Sequence, residues 1–323
     1  AGDRSAWCRG QVLFAGGPET AVVGAPRLME VVRTDAATSL TRVLETVLPS
    51  AFARSEKRQL SDGGGNPRFG AVFEEPAPEE VASGEVRTCA VVSDRPALAA
   101  AIGAALEARS ITALPLDMAH GFEGAAAALR GVHESAGPVD AVVAAPAGPR
   151  RSTGSGASAA EGWAHLLAEH DGIEDALHAD GAWARAVADY AGSTQRPVRL
   201  VTVVDATTAG GRSRAQAAAQ LARVGAATTE GRVAAFAAGL EAPEQEVAAP
   251  AGELVAHLVG HPEASALAGS ELVVGPGWLG LRSHPRPLGA VTYGGAGLPD
   301  WLDGVLREMV GADAADAPAG RAT

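Results

Sequence analysis

At 323 residues, 47% hydrophobic but only 4% aromatic, the chain has ample apolar side chain for a sizeable core, and that core must be Ala, Val and Leu. A formal net charge of −12 argues against a nucleic-acid binder and against a binder of anionic membranes, since both need a basic face. The two cysteines, Cys8 and Cys89, supply neither a disulfide framework nor a metal quartet. No run of about 18 apolar residues occurs, and the first residues lack the basic, apolar and cleavage segments of a signal peptide. The expectation is a soluble cytoplasmic protein, and the usage of Ala, Gly and Pro matches a GC-rich bacterial genome.

Residues 1–85 read as an N-terminal appendage that ends in a linker. Gln11-Val12-Leu13-Phe14 and Ala21-Val22-Val23, separated by Ala15-Gly16-Gly17-Pro18, suit a hairpin or two brief strands. Asp35 and Thr38 precede Leu40, Val43, Leu44, Val47 and Leu48, an apolar stripe at helical spacing that stops at Pro49. Residues 54–58 and 61–67 are polar and turn-rich and predict an exposed loop. Gly63, Gly64 and Gly65 belong to that loop rather than to a phosphate site, because no strand precedes them and no helix start follows. Residues 74–85, rich in Glu and Pro, form the linker.

From residue 86 to 277 strands and helices alternate. The apolar runs 88–92, 111–116, 139–143, 198–204, 232–236 and 270–274 suit buried parallel strands. Between them lie helices: one with Leu98, Ile102, Ala105 and Leu106 on a single face, one near 122–134, one long or two abutting at 159–190, an Ala-rich one at 213–225 and one near 252–260. Residues 148–158 predict a loop and 312–323 a disordered tail. This βαβ succession implies a doubly wound parallel α/β sheet over residues 86–311, with the small strand-and-helix appendage in front of it.

Several stretches, in the right order, resemble the short-chain dehydrogenase/reductase family. Residues 89–103, with Ser93-Asp94-Arg95-Pro96 at the turn, stand where that family has its first strand, glycine-rich turn and first helix. Val139-Asp140-Ala141-Val142-Val143 followed by Ala144-Ala145-Pro146-Ala147-Gly148 looks like the strand ending in Asn-Asn-Ala-Gly. Glu161-Gly162-Trp163 opens a helix similar to the family's long dimerisation helix. Arg199-Leu200-Val201-Thr202-Val203-Val204-Asp205 resembles the strand that bears the catalytic serine. Residues 231–239 and 263–275 resemble the strand before a Pro-Gly turn and the closing helix, turn and strand.

The resemblance implies a Rossmann-like fold of ketoreductase type, yet the chemistry is degenerate at each station. The family's three phosphate-facing glycines correspond to Ser93, Ala97 and Ala99, whose side chains fill the space the pyrophosphate needs, and Asp94 adds an opposing charge. Asp205 stands at or near the serine position and His170 near the asparagine position. The helix that carries the family's Tyr and Lys has neither; Gln216 and Gln220 take their spacing. Neither Tyr190 nor Tyr293 has a Lys four residues on. No nicotinamide cofactor is expected in the usual mode, with NADP as the alternative. His257 and His261 are four apart, but Gly260 and Pro262 interrupt the helix there, so they read as surface residues and no metal site is expected. Cys89 reads as a small core side chain.

Three functions follow. The first is a non-catalytic subunit that stabilises or positions a partner enzyme in acyl- or polyketide-type bacterial metabolism. It would pair through helices 159–190 and 213–225, as a homo-oligomer or with an active family member. The second is an enzyme with altered, non-hydride chemistry, in which Asp205 orients His170 as a general base. Set against it, Asp205 also suits a plain turn into Ala206-Thr207-Thr208. The third is an active NAD(P)-dependent ketoreductase whose motifs lie in another register.

Overall fold

The computed structural model describes residues 8, 11–16, 18–34, 40–61, 84–148, 168–295 and 297–311. Its elements begin with β1 (Val12–Gly16), β2 (Glu19–Gly24), β3 (Leu28–Arg33), α1 (Leu40–Val47) and α2 (Ala53–Ser61). An alternating stretch follows: β4 (Thr88–Val92), α3 (Pro96–Glu107), β5 (Thr112–Leu116), α4 (Gly121–Ala136), β6 (Ala141–Ala144), α5 (Ile173–Thr194), β7 (Val198–Asp205), α6 (Ala209–Thr228), β8 (Val233–Leu240), α7 (Glu244–Gly260) and β9 (Glu271–Gly275). The described chain closes with β10 (Trp278–Arg282), β11 (Arg286–Thr292) and α8 (Leu302–Val310). No described helix is long and apolar enough to cross a membrane.

The chain divides into two compact units, and the division is not at residue 85. The smaller unit contains β1 and β2 from the front of the chain together with β11 and α8 from its end. Its 3-stranded sheet has the order β1-β2-β11, antiparallel throughout. Leu302, Leu306 and Val310, spaced along one face of α8, bury against Val22.

The larger unit holds an 8-stranded sheet of order β3-β10-β9-β8-β7-β6-β4-β5. From β9 to β5 the strands are parallel; β10 and β3 are added antiparallel at one edge. This is the expected doubly wound α/β arrangement, with a switch of direction between β4 and β6. It has one strand fewer beyond β5 than the 3-2-1-4-5-6 order of a Rossmann sheet. Every residue of β8 is buried, as a central parallel strand covered on both faces requires. One face carries Val91, Val143, Val201 and Phe236 under α1, α3 and α7; the other carries Val92, Val142 and Leu200 under α4 and α5, with α6 beyond.

Two expectations about the front of the chain are corrected. β3, α1 and α2 are not part of an appendage: β3 pairs with β10, and Leu44, Leu48 and Phe52 enter the main core. Residues 54–58 are not an exposed loop but the body of α2. A π-type turn over Leu48–Phe52 carries the chain past Pro49, and Ser55 and Glu56 are buried. Their polarity misleads because they meet polar partners: the Ser55 hydroxyl donates to Glu30 Oε1 (2.5 Å) and Arg58 Nη2 to Ser55 Oγ (2.7 Å). Residues 62–83, 149–167 and 312–323 lie outside the described residues. With them go the glycine loop, the linker apart from its last two residues, the front of the expected 159–190 helix and the tail.

Polar ties fix the helices to the sheet. Tyr190 on α5 accepts a hydrogen bond from the buried Val139 N–H (2.9 Å), and its hydroxyl pairs with His133 Nδ1 on α4 (2.7 Å). Removing that oxygen orphans a buried amide. Tyr190→Phe is therefore expected to lower stability by about 1–3 kcal/mol, read as a lower denaturation midpoint at unchanged m-value. Between α5 and α6, Arg214 and Asp180 form a two-pronged ion pair, both bonds 2.7 Å, at 2% and 1% side-chain exposure.

Candidate functional site

The carboxyl ends of parallel strands flanking a switch point are where α/β sheets hold ligands. Two regions of the larger unit lie there: the turn from β4 into α3, and the ends of β7 and β8.

At the first, the chain leaves β4 through Ser93 and enters α3 at Pro96, whose fixed φ suits a first helical position. Ser93 Oγ donates to the Ala145 carbonyl (2.8 Å) and accepts from Arg95 N–H (3.1 Å). Asp94 Oδ1 accepts from Ala147 N–H (2.6 Å), so its carboxylate is turned to the segment after β6. Ala97 and Ala99 lie within the first turn of α3 rather than in the loop before it. The residue that sequence reading missed is Glu244, the first of α7. Its Oε1 accepts from Leu98 N–H (2.9 Å) and its Oε2 from Arg95 Nε (2.8 Å), with Arg95 only 8% exposed. Gly252 explains how α7 comes so near: a Cβ there would lie 2.6 Å from the Ala101 carbonyl oxygen, so only glycine lets the two backbones approach.

A helix N-terminus offers unpaired amides and the positive end of a dipole, and phosphates bind such ends. Here the chain's own carboxylate takes an amide of that turn and the adjacent guanidinium. These residues do not fit a dinucleotide held by its pyrophosphate at this turn.

At the second region a cleft of about 650 Å³ opens beside Asp205, Thr207, Gly210, Gly211, Glu241 and Glu169. Its charge is mostly negative, and Arg214, which also lines it, is committed to Asp180. Asp205 Oδ1 accepts from both the N–H (3.0 Å) and the hydroxyl (2.6 Å) of Thr207, the geometry of an Asx turn. Thr208 caps α6 through Gly211 N–H (3.0 Å), and Glu169 Oε2 accepts from Ala209 N–H (3.0 Å). His170 lies in the turn before α5, half-buried, with Nε2 3.4 Å from Ser213 Oγ. The segments bearing His170 and Asp205 both close on the start of α6. A Cβ on Gly210 would sit 2.1 Å from the Glu169 carbonyl oxygen, and one on Gly211 2.0 Å from that of Asp205. His170 meets Ser213 and Asp205 bonds to Thr207. Asp205→Asn is expected to cost no more than about 1–2 kcal/mol, checked by thermal or chemical denaturation.

Elsewhere, Cys89 is fully buried and burial raises its thiol pKa, in keeping with a core role. His257 is not a surface residue: it is 3% exposed and stacks on His261, ring centroids 4.6 Å apart. Among the described residues no group of three or more His, Cys, Asp or Glu side chains could hold a metal ion.

The sequence matches no protein-family model and no curated protein. Among solved structures it is similar to a short chain dehydrogenase from Mycobacterium avium, at 18% identity over 73% of this chain and 98% of that one, TM-score 0.46. An acetoin dehydrogenase from Salmonella typhimurium is 16% identical over 60% of this chain and 97% of its own, TM-score 0.42. A short chain dehydrogenase from Mycobacterium smegmatis is 16% identical over 62% and 96%, TM-score 0.41.

Proposed function

We propose that this chain is a non-catalytic subunit resembling short-chain dehydrogenases, which binds no nicotinamide dinucleotide and stabilises or positions a partner enzyme in acyl- or polyketide-type metabolism. The observation that carries the reading is Glu244 on the N-terminal turn of α3, with Arg95 beside it. A dinucleotide phosphate would have to displace a carboxylate already bonded to a guanidinium and a backbone amide. The absence of a Tyr-x-x-x-Lys pair anywhere in the chain removes the usual acid–base group as well. The rival reading, altered chemistry by His170 and Asp205, has against it that Asp205 Oδ1 already serves the turn at Thr207.

The partner side of the proposal rests on α5 and α6. Along them runs a groove of about 410 Å³ that includes Gly181, Ala184, Ala188, Gly192, Val224 and Gly225, side chains small enough to admit a helix from another subunit. The test is size-exclusion mass, measured by light scattering, for the chain alone and co-expressed with neighbouring gene products, alongside thermal melts with NADH and NADPH. The expected result is a stoichiometric homo- or hetero-complex that Ala188→Arg disperses, with melting unmoved by either cofactor. A monomer in every preparation whose melting rises with cofactor would overturn the reading.

A further inference from the structure

The opposite end of the parallel sheet holds a feature that this function does not use. At the amino-terminal edge, below the C-terminus of α7, a pocket of about 640 Å³ is lined by His257, His261, Arg109 and Arg87 among others. A smaller recess of about 160 Å³, lined in part by Arg199 and Arg196, shares Gly84, Glu85 and Val86 with it. Four arginines and two histidines gather here, with Glu45, Glu85 and Asp140 among them.

Three of these four guanidinium groups are ion-paired. Arg87 pairs with Glu85, Arg196 with Asp140 and Arg109 with Glu253. Arg199, only 3% exposed, has no carboxylate on it. Its Nη1 donates to the carbonyl of Leu258 in the last turn of α7 (2.8 Å) and to that of His261 just beyond it (2.7 Å), which is ordinary helix capping. Its Nη2 is buried with no hydrogen-bond partner, and so is Nδ1 of His261. Other nitrogens, such as Arg95 Nη1 and Arg214 Nη1, are also buried without a partner; these two differ in belonging to residues that line the two cavities. Glu45 also lines the pocket, at its exposed rim.

We propose that this end of the sheet is a binding site for a small oxyanion, a phosphate or carboxylate group, received in the larger pocket by Arg109 and the His257–His261 pair, with Arg199 facing it from the adjoining recess. The fork of a guanidinium is matched to two oxygens, and an imidazole supplies a further donor. The electrostatics agree. Burial, and then the nearby His261, Arg109 and Arg199, hold the His257 pKa down to about 4. An anion among these groups offsets the repulsive part of that effect, so binding and protonation of His257 reinforce each other. The site stands independently of the cofactor reading, being at the other end of the strands.

The experiment is an NMR titration of the full chain with histidine-labelled rings, against inorganic phosphate and, separately, acetate. The expected result is a saturable shift of the His257 and His261 signals, with that of His133 unmoved, and an apparent His257 pKa that climbs from about 4. Phosphate binding far tighter than acetate assigns a phosphate ligand, and parity assigns a carboxylate. Arg199→Gln and Arg109→Gln should each weaken the apparent affinity by about tenfold. Should the first variant fail to fold, the second decides alone, since Arg109 is not a cap of α7. Signals that do not saturate with either anion, or an affinity unchanged in Arg109→Gln, overturn the proposal.

Discussion

Asp180→Ala is expected to be the most damaging single substitution described here, lowering stability by about 3–5 kcal/mol. The reason is burial. Arg214 has 2% of its side chain exposed and both bonds of its fork on Asp180, so the variant strands a guanidinium between α5 and α6. One of its nitrogens, Nη1, already lacks a hydrogen-bond partner, so the site has no spare acceptor to offer. The double replacement Asp180→Leu with Arg214→Met behaves differently. It removes both charges and the desolvation each one costs, and is expected to lie near or above the parent in stability. Urea denaturation of Asp180→Leu, Arg214→Met and the double variant measures the coupling. A double variant as unstable as the singles would show that packing, not charge, holds these helices.

The second large effect is at Glu244. Glu244→Ala removes the acceptor of Leu98 N–H and the counter-charge of Arg95, for an expected loss of about 2–3 kcal/mol. Glu244→Gln keeps an oxygen for the amide but leaves Arg95 without its charge, so it is expected to fall between the parent and Glu244→Ala. That order, followed by thermal melting, separates a helix-capping contribution from an ionic one. Equal loss in both variants assigns the whole effect to the ion pair.

Much of the larger unit was legible in the sequence. Apolar runs such as 198–204 and 233–236 are buried on both faces in the parallel sheet, and short-range patterning reports that burial directly. The small N-terminal appendage was not. β3 joins the sheet through β10, and α2 through Glu30, contacts whose partners no local period encodes. The same reason hid Glu244, which lies 149 residues from Arg95 along the chain. In the sequence it is one acid among several at a helix start. Only the crossing of α3 and α7 at Gly252 brings it to the turn where Ser93, Ala97 and Ala99 had drawn attention. His257 misled for a related reason: Gly260 and Pro262 do end the helix, but the chain buries that end instead of exposing it.

In the proposed function the chain's own carboxylate, Glu244, holds the place of a cofactor phosphate. Isothermal titration of the intact chain with NADPH, and again with NADH, tests it most directly. No saturable heat is predicted for either cofactor up to millimolar concentration. Saturable binding in the micromolar range would contradict the account.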